Sequence, residues 1–91
     1  MQFSLHAERR LRLRGISKKD VEWVLENSKT RYYDIMTKNL IAVAQIRLRG
    51  QIRGLSVVYI EVFGGVLVVT AHPISPSQIQ NRVHKGRWIR I

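Results

Sequence analysis

The chain has 91 residues, 16 Lys and Arg against 6 Asp and Glu, a net charge of +10, and no cysteine. That length predicts one domain, because so short a chain buries only about two-thirds of its unfolded surface, and the missing thiols rule out a disulfide framework or a thiolate metal site. Apolar runs such as Val66 to Ala71 fall well short of the roughly 18 to 20 residues a membrane helix needs, and the charged start lacks a signal-peptide core, so a soluble cytoplasmic protein with no membrane partner is expected.

Residues 4 to 14 are rich in Leu, Arg, Glu and Ala and poor in β-branched residues, which predicts a helix ending at Gly15, the residue suited to a left-handed C′ position. Phe3, Ala7 and Leu11 form its apolar stripe. A second helix is predicted from Ser17 as N-cap, with Asp20 near the positive end of the dipole and Ile16 and Val21 as a hydrophobic staple; Val21, Val24 and Leu25 make its buried face. From Thr30 the pattern changes to β-branched and aromatic residues. Four strands are predicted at 30 to 36, 40 to 49, 52 to 62 and 66 to 72, broken by Thr37-Lys38-Asn39, Gly50-Gln51 and Gly64-Gly65.

Such short connections favour antiparallel neighbours, so the expected fold is α+β: two N-terminal helices packed on a four-stranded antiparallel meander. With Gly64-Gly65 as the turn, Val62 pairs with Leu67, Ile60 with Val69 and Val58 with Ala71, an apolar face expected to meet the helices. The other face would carry Glu61 beside Val68, Tyr59 beside Thr70 and Val57 beside His72. Ser75-Pro76-Ser77-Gln78 combines a Ser cap, Pro at the first position and Gln at the capping-box position, which predicts a short third helix with Ile79 and Val83 inward and Gly86 beyond its end.

Eleven of the 16 cations are Arg, whose planar fork grips phosphate in bidentate fashion, and the pI near 11.2 lies in the range of nucleic-acid-binding domains. His6, Arg10 and Arg14 recur every fourth residue, so they line one side of the first helix, at the border of its apolar stripe. Tyr59, Thr70 and His72 form a second candidate group on one sheet surface. An imidazole moves protons near neutral pH and guanidinium groups stabilise a pentavalent phosphate, so the two groups contain the parts for cutting RNA through its 2′-hydroxyl, with His6 and His72 dividing the proton roles. The same residues also read as a solvated helix face and ordinary strand positions.

Arg47, Arg49 and Arg53 surround the Gly50-Gln51 turn as a basic hairpin tip suited to phosphate contacts. Lys85, Arg87 and Arg90 surround Trp88, which could stack a base or close the small core. The scattered histidines and carboxylates match no metal-binding motif, and neither GxxxxGK[ST] nor GxGxxG occurs, so no metal or cofactor is expected.

The segment His6-Ala7-Glu8-Arg9-Arg10-Leu11-Arg12-Leu13-Arg14-Gly15-Ile16-Ser17 resembles the HAxxRxxxRGIS signature of a domain-of-unknown-function family. The resemblance runs through Asp20-Val21, Val24-Leu25, Val57-Val58-Tyr59 and Val68-Val69-Thr70, covering about residues 5 to 73. That family is similar to the RelE and BrnT ribonuclease toxins. It implies a helical N-terminus before an antiparallel sheet, action on RNA, and control by a partner antitoxin, which would be acidic. His6, Arg10 and Arg14 match the signature positions and Thr70 the polar residue of the last core strand, whereas Ala71-His72 stands where BrnT-like proteins tend to have Ala-Arg. The expected function is a metal-independent endoribonuclease of toxin-antitoxin type; a noncatalytic RNA- or DNA-binding regulator, or a subunit for an acidic protein, would use the same cations without chemistry.

Overall fold

The computed structural model describes all 91 residues. In chain order these are β1 (Gln2–Phe3), α1 (Leu5–Arg14), α2 (Lys18–Asn27), β2 (Thr30–Asp34), β3 (Leu40–Leu48), β4 (Gln51–Val62), β5 (Gly65–Ile74), α3 (Pro76–His84) and β6 (Trp88–Arg90). The fold is α+β. No helix is long and apolar enough to cross a membrane.

Local chemistry accounts for the helix ends. Ser4 Oγ accepts the Ala7 N–H and Ser17 Oγ accepts the Asp20 N–H, both at 3.0 Å, which satisfies amide groups that have no partner inside the helix. Gly15 closes α1 in the left-handed region, with φ of 67°. Ser75 and Gln78 form a reciprocal capping box at the start of α3, and Pro76 supplies a preset φ.

The sheet is larger than the predicted meander and is not wholly antiparallel. It has six strands in the order β1-β5-β4-β3-β2-β6. β1 pairs parallel with β5 at Gln2↔Leu67 and Phe3↔Val68, and β6 pairs antiparallel with β2. These additions have two and three residues, too few to show an alternating pattern, and their partners lie far away in the chain. The four core strands stand where expected, with small shifts of their ends.

Turn placement corrects the predicted register. The last hairpin turns at Phe63-Gly64, so Val62 faces Gly65 and Tyr59 faces Val68, while a bulge between Val58 and Tyr59 leaves Val69 unopposed and brings Thr70 against Val58. The β3–β4 turn falls at Arg49-Gly50, not Gly50-Gln51, and both residues have positive φ, 52° and 79°, as a two-residue hairpin turn that follows strand twist requires.

The predicted faces of β4 are inverted. Leu55, Val57 and Tyr59 join Ala7, Leu11, Val21 and Val24 under α1 and α2, whereas Val58 packs with Ile41, Ile74, Tyr32, Trp88 and Ile79 of α3 on the other side. Three layers result: α1 and α2, the sheet, and α3. Because both faces of β4 are covered, the run from Leu55 to Ile60 is apolar at nearly every position, and alternation cannot mark which side meets which helix. Gly54 is required where β4 pairs with Ile74 of β5, since a Cβ there would stand 2.5 Å from the Ile74 carbonyl oxygen.

Candidate functional site

Arg14, at the last turn of α1, reaches the outer edge of β5. One of its Nη atoms donates to the Ala71 carbonyl at 2.8 Å and to Thr70 Oγ1 at 3.2 Å. Past the two-residue β1 pairing, this edge exposes unpaired backbone groups, and the guanidinium occupies one of them. Helix α1 lies along the same strand, anchored at its start by the Ser4 N–H donating to the Val68 carbonyl at 3.1 Å.

His72 lies two residues from Ile74, which packs in the cluster under α3, so alternation along β5 turns His72 toward the α3 side of the sheet. Its ring is half-buried. Burial first, then the charges of Arg14 and Arg82, push the imidazole below its ordinary proton affinity, so its neutral form is favoured near neutral pH. Arg82 comes from α3, where its guanidinium lies 5.0 Å from the centre of the Trp88 ring. Arg14 stands at the β5 edge next to His72 through its bonds to Thr70 and Ala71, and Arg82 adds positive potential from α3. Arg82 was not singled out from the sequence, although its position three residues after Ile79 sets it beside the inward stripe of α3.

Beside Arg14, a cleft of about 490 Å³ is lined by Leu13, Arg14, Leu48, Arg49, Arg53 and Pro73, among others. The β3–β4 hairpin contributes Arg49 and Arg53. Arg49 leans on the α1–α2 corner so closely that a Cβ at Gly15 would lie 2.9 Å from its guanidinium. Arg47 hydrogen-bonds the Gly50 carbonyl at 3.3 Å and stays exposed outside this cleft. Only two ion pairs form, Lys18 with Glu8 and Arg87 with Asp34, so most of the 16 cations carry no carboxylate partner.

The predicted stripe of His6, Arg10 and Arg14 is not a uniform border. A step of four residues rotates about 40° around the helix, and two steps accumulate about 80°. Arg14 is half-buried against the sheet, whereas Arg10 and His6 are exposed, and neither makes a hydrogen bond to the β4–β5 hairpin. His6 stands about 12 Å along the axis from Arg14, and no contact brings it to His72.

Tyr59 does not share a surface with Thr70 and His72. It is 5 % exposed in the core under α2, where its hydroxyl accepts from Arg31 at 2.9 Å; Arg31 also donates to the Leu25 carbonyl and caps the end of α2. Trp88 is not available to stack a base either. It is 3 % exposed, tilts against Tyr32 with ring centres 5.3 Å apart, and donates its indole N–H to Asp34 at 3.3 Å.

Arg87 is held by the same carboxylate at 3.2 Å. Asp34 itself is buried, which by itself would raise its pKa; hydrogen bonds from Arg87 and from the Thr37 and Met36 amides outweigh that and hold it below the ordinary carboxylate value. Lys85 remains exposed at the end of α3. Neither Asp34 nor Arg31 stood out in the sequence, since their partners are distant in the chain.

Comparison of the chain with protein-family models, with curated proteins and with solved structures finds no match.

Proposed function

We propose that this protein is a metal-independent endoribonuclease of toxin-antitoxin type, with a RelE/BrnT-like arrangement, that works in the cytoplasm under an acidic antitoxin. The observation that carries the reading is the Arg14 guanidinium fixed on Thr70 and Ala71 at the β5 edge, beside a half-buried His72 whose neutral form burial favours. A neutral imidazole is the form that accepts a proton.

In this reading His72 takes the 2′-hydroxyl proton, and the oxygen attacks the adjacent phosphorus. The phosphorus–O5′ bond breaks, leaving a 2′,3′-cyclic phosphate and a 5′-hydroxyl end. Arg14 and Arg82 stabilise the charge that gathers on the phosphorane oxygens. Thr70 holds the Arg14 guanidinium in place, and the leaving oxygen takes its proton from water, since His6 stands two turns away. Arg49 and Arg53 bind flanking phosphate, with Arg47 and Lys85 adding long-range attraction. The resemblance of His6 to Ser17 to the HAxxRxxxRGIS signature supports the role of Arg14, and the net charge of +10 suits an acidic partner.

The separation of His6 from His72 favours a second reading, a noncatalytic RNA- or DNA-binding regulator, because a single imidazole supplies only half of a two-proton mechanism. Chelator-treated protein incubated with end-labelled RNA distinguishes the two. Cyclic phosphate ends that form with wild type and drop about 10²-fold or more with His72→Ala fit the nuclease. RNA that is bound and stays whole removes it.

A further inference from the structure

Helix α3 and the start of β6 carry a second cleft, of about 700 Å³, at the β2–β6 side of the sheet; Met36, Ser77, Asn81, Arg82, Lys85 and Arg87 line it, among others. That volume falls within the roughly 300 to 1,000 Å³ of small-molecule sites. No carboxylate lines it and Met36 is its one apolar residue, so it suits an anion with hydrogen-bonding groups and not an apolar ligand.

The cations of this cleft are placed before any ligand arrives. Arg82 rests on the face of the Trp88 ring, 5.0 Å from its centre. Arg87 is tied to the same ring through Asp34, whose carboxylate accepts the indole N–H at 3.3 Å and the Arg87 guanidinium at 3.2 Å. The two guanidinium groups are therefore held apart, one on the face of a buried indole and the other beyond its N–H edge. Basic side chains in a last helical turn ordinarily answer the helix dipole. Here the end carbonyls of Asn81, Arg82 and Val83 already accept the Lys85, Arg87 and Gly86 amides, which leaves the three cations to the cleft. Donors fixed in advance lower the ordering cost of binding.

We propose that this cleft binds a small molecule that carries two or more linked phosphates. Guanidinium groups seated on different sides of the indole call for more than one phosphate, and Lys85 offsets a further negative charge. Ser77 and Asn81 are exposed and offer hydrogen bonds to a phosphate or sugar oxygen, and the exposed Met36 side chain offers an apolar contact to a base. The inference does not depend on the nuclease reading.

The test is titration of the full chain with inorganic pyrophosphate, orthophosphate, ADP and AMP, in about 0.15 M salt to screen diffuse attraction to the net charge. In a Trp23→Phe background, fluorescence reports Trp88, which responds when a ligand engages the Arg82 cation on its ring. Pyrophosphate and ADP are expected to bind saturably, about ten-fold or more tighter than orthophosphate and AMP, the difference typical of a hydrogen bond between charged groups. ADP that binds more tightly than pyrophosphate supports a nucleotide as the ligand, and equal affinity supports the linked phosphates alone. Lys85→Glu and Asn81→Asp bring negative charge into the cleft and are each expected to weaken pyrophosphate binding about ten-fold, whereas Arg53→Glu, the same change of charge in the other cleft, leaves it within about two-fold. All three side chains are exposed, and unchanged circular dichroism confirms that the variants fold. An equal loss in Arg53→Glu reduces the effect to general attraction and overturns the site. Orthophosphate that binds as tightly as pyrophosphate, or no saturable binding of either pyrophosphate or ADP, overturns it as well.

Discussion

The Arg14 guanidinium and the Thr70 hydroxyl, 56 positions apart in the chain, meet at 3.2 Å on the outer edge of β5. The same nitrogen donates to the Ala71 carbonyl at 2.8 Å, so one side chain both docks helix α1 on the sheet and sets a positive charge beside His72. Arg14→Ala is expected to cost about 1–2 kcal/mol through the lost hydrogen bonds, read as a lower urea midpoint, and to reduce RNA cleavage further than that stability loss explains. Arg14→Lys keeps the charge without the planar fork and should recover RNA affinity more fully than cleavage.

His72 makes stability depend on pH in a definite direction. Its proton affinity in the folded chain lies below the ordinary histidine value of about 6.5, so in mildly acidic solution the unfolded chain binds the proton first. Stability therefore rises with pH through the interval between the folded and unfolded values, and it is lost as pH falls below about 6.5. Urea midpoints at pH 7.5 and pH 5.5 should differ less in His72→Gln than in wild type. An identical pH response in the two proteins would contradict the neutral, flanked imidazole.

Asp34 is the anchor of the other sheet edge. Its carboxylate accepts from the Met36 amide at 2.9 Å, the Thr37 amide at 3.2 Å, the Trp88 indole at 3.3 Å and Arg87 at 3.2 Å. Asp34→Ala leaves the buried indole N–H without a partner and frees β6 from its corner. A loss of about 2–3 kcal/mol is expected, below the usual range for a broken buried pair because the Arg87 side chain is partly in water. Thermal unfolding followed by Trp fluorescence measures it.

Gly15→Ala combines two penalties. The left-handed φ of 67° disfavours any side chain by about 1–2 kcal/mol, and the new Cβ would press on the Arg49 guanidinium at 2.9 Å. The expected result is a drop in stability together with weaker RNA binding, since Arg49 must leave its place beside Arg14. Arg49→Ala in the same background should restore part of the stability and none of the affinity.

The helices were legible because their signals are local. Ser17 and the Ser75–Gln78 pair act within three residues, and Gly15 ends α1 by its own backbone freedom, whereas Ser4, expected as the first helical residue, is the cap of α1. The strands from Thr30 to Ile74 were legible in number and approximate extent for the same reason, since β-branched runs and glycine-bearing turns are short-range patterns. The face of Tyr59 was not, because an apolar run buried on both sides has no alternation to read.

By itself the sequence determined the cationic character of the surface, the αα corner, the capped third helix and the α+β class, all of which follow from composition or from neighbours a few positions apart. Only the tertiary structure decided that Tyr59 and Trp88 are core residues, that Arg14 and not His6 reaches the hairpin, and that Arg82 rests on the Trp88 ring. The turn displaced by one residue and the bulge at Val69 set which residue of β5 opposes Tyr59. Register is chosen by the packing of both sheet faces at once, and that selection involves contacts between residues far apart in the chain.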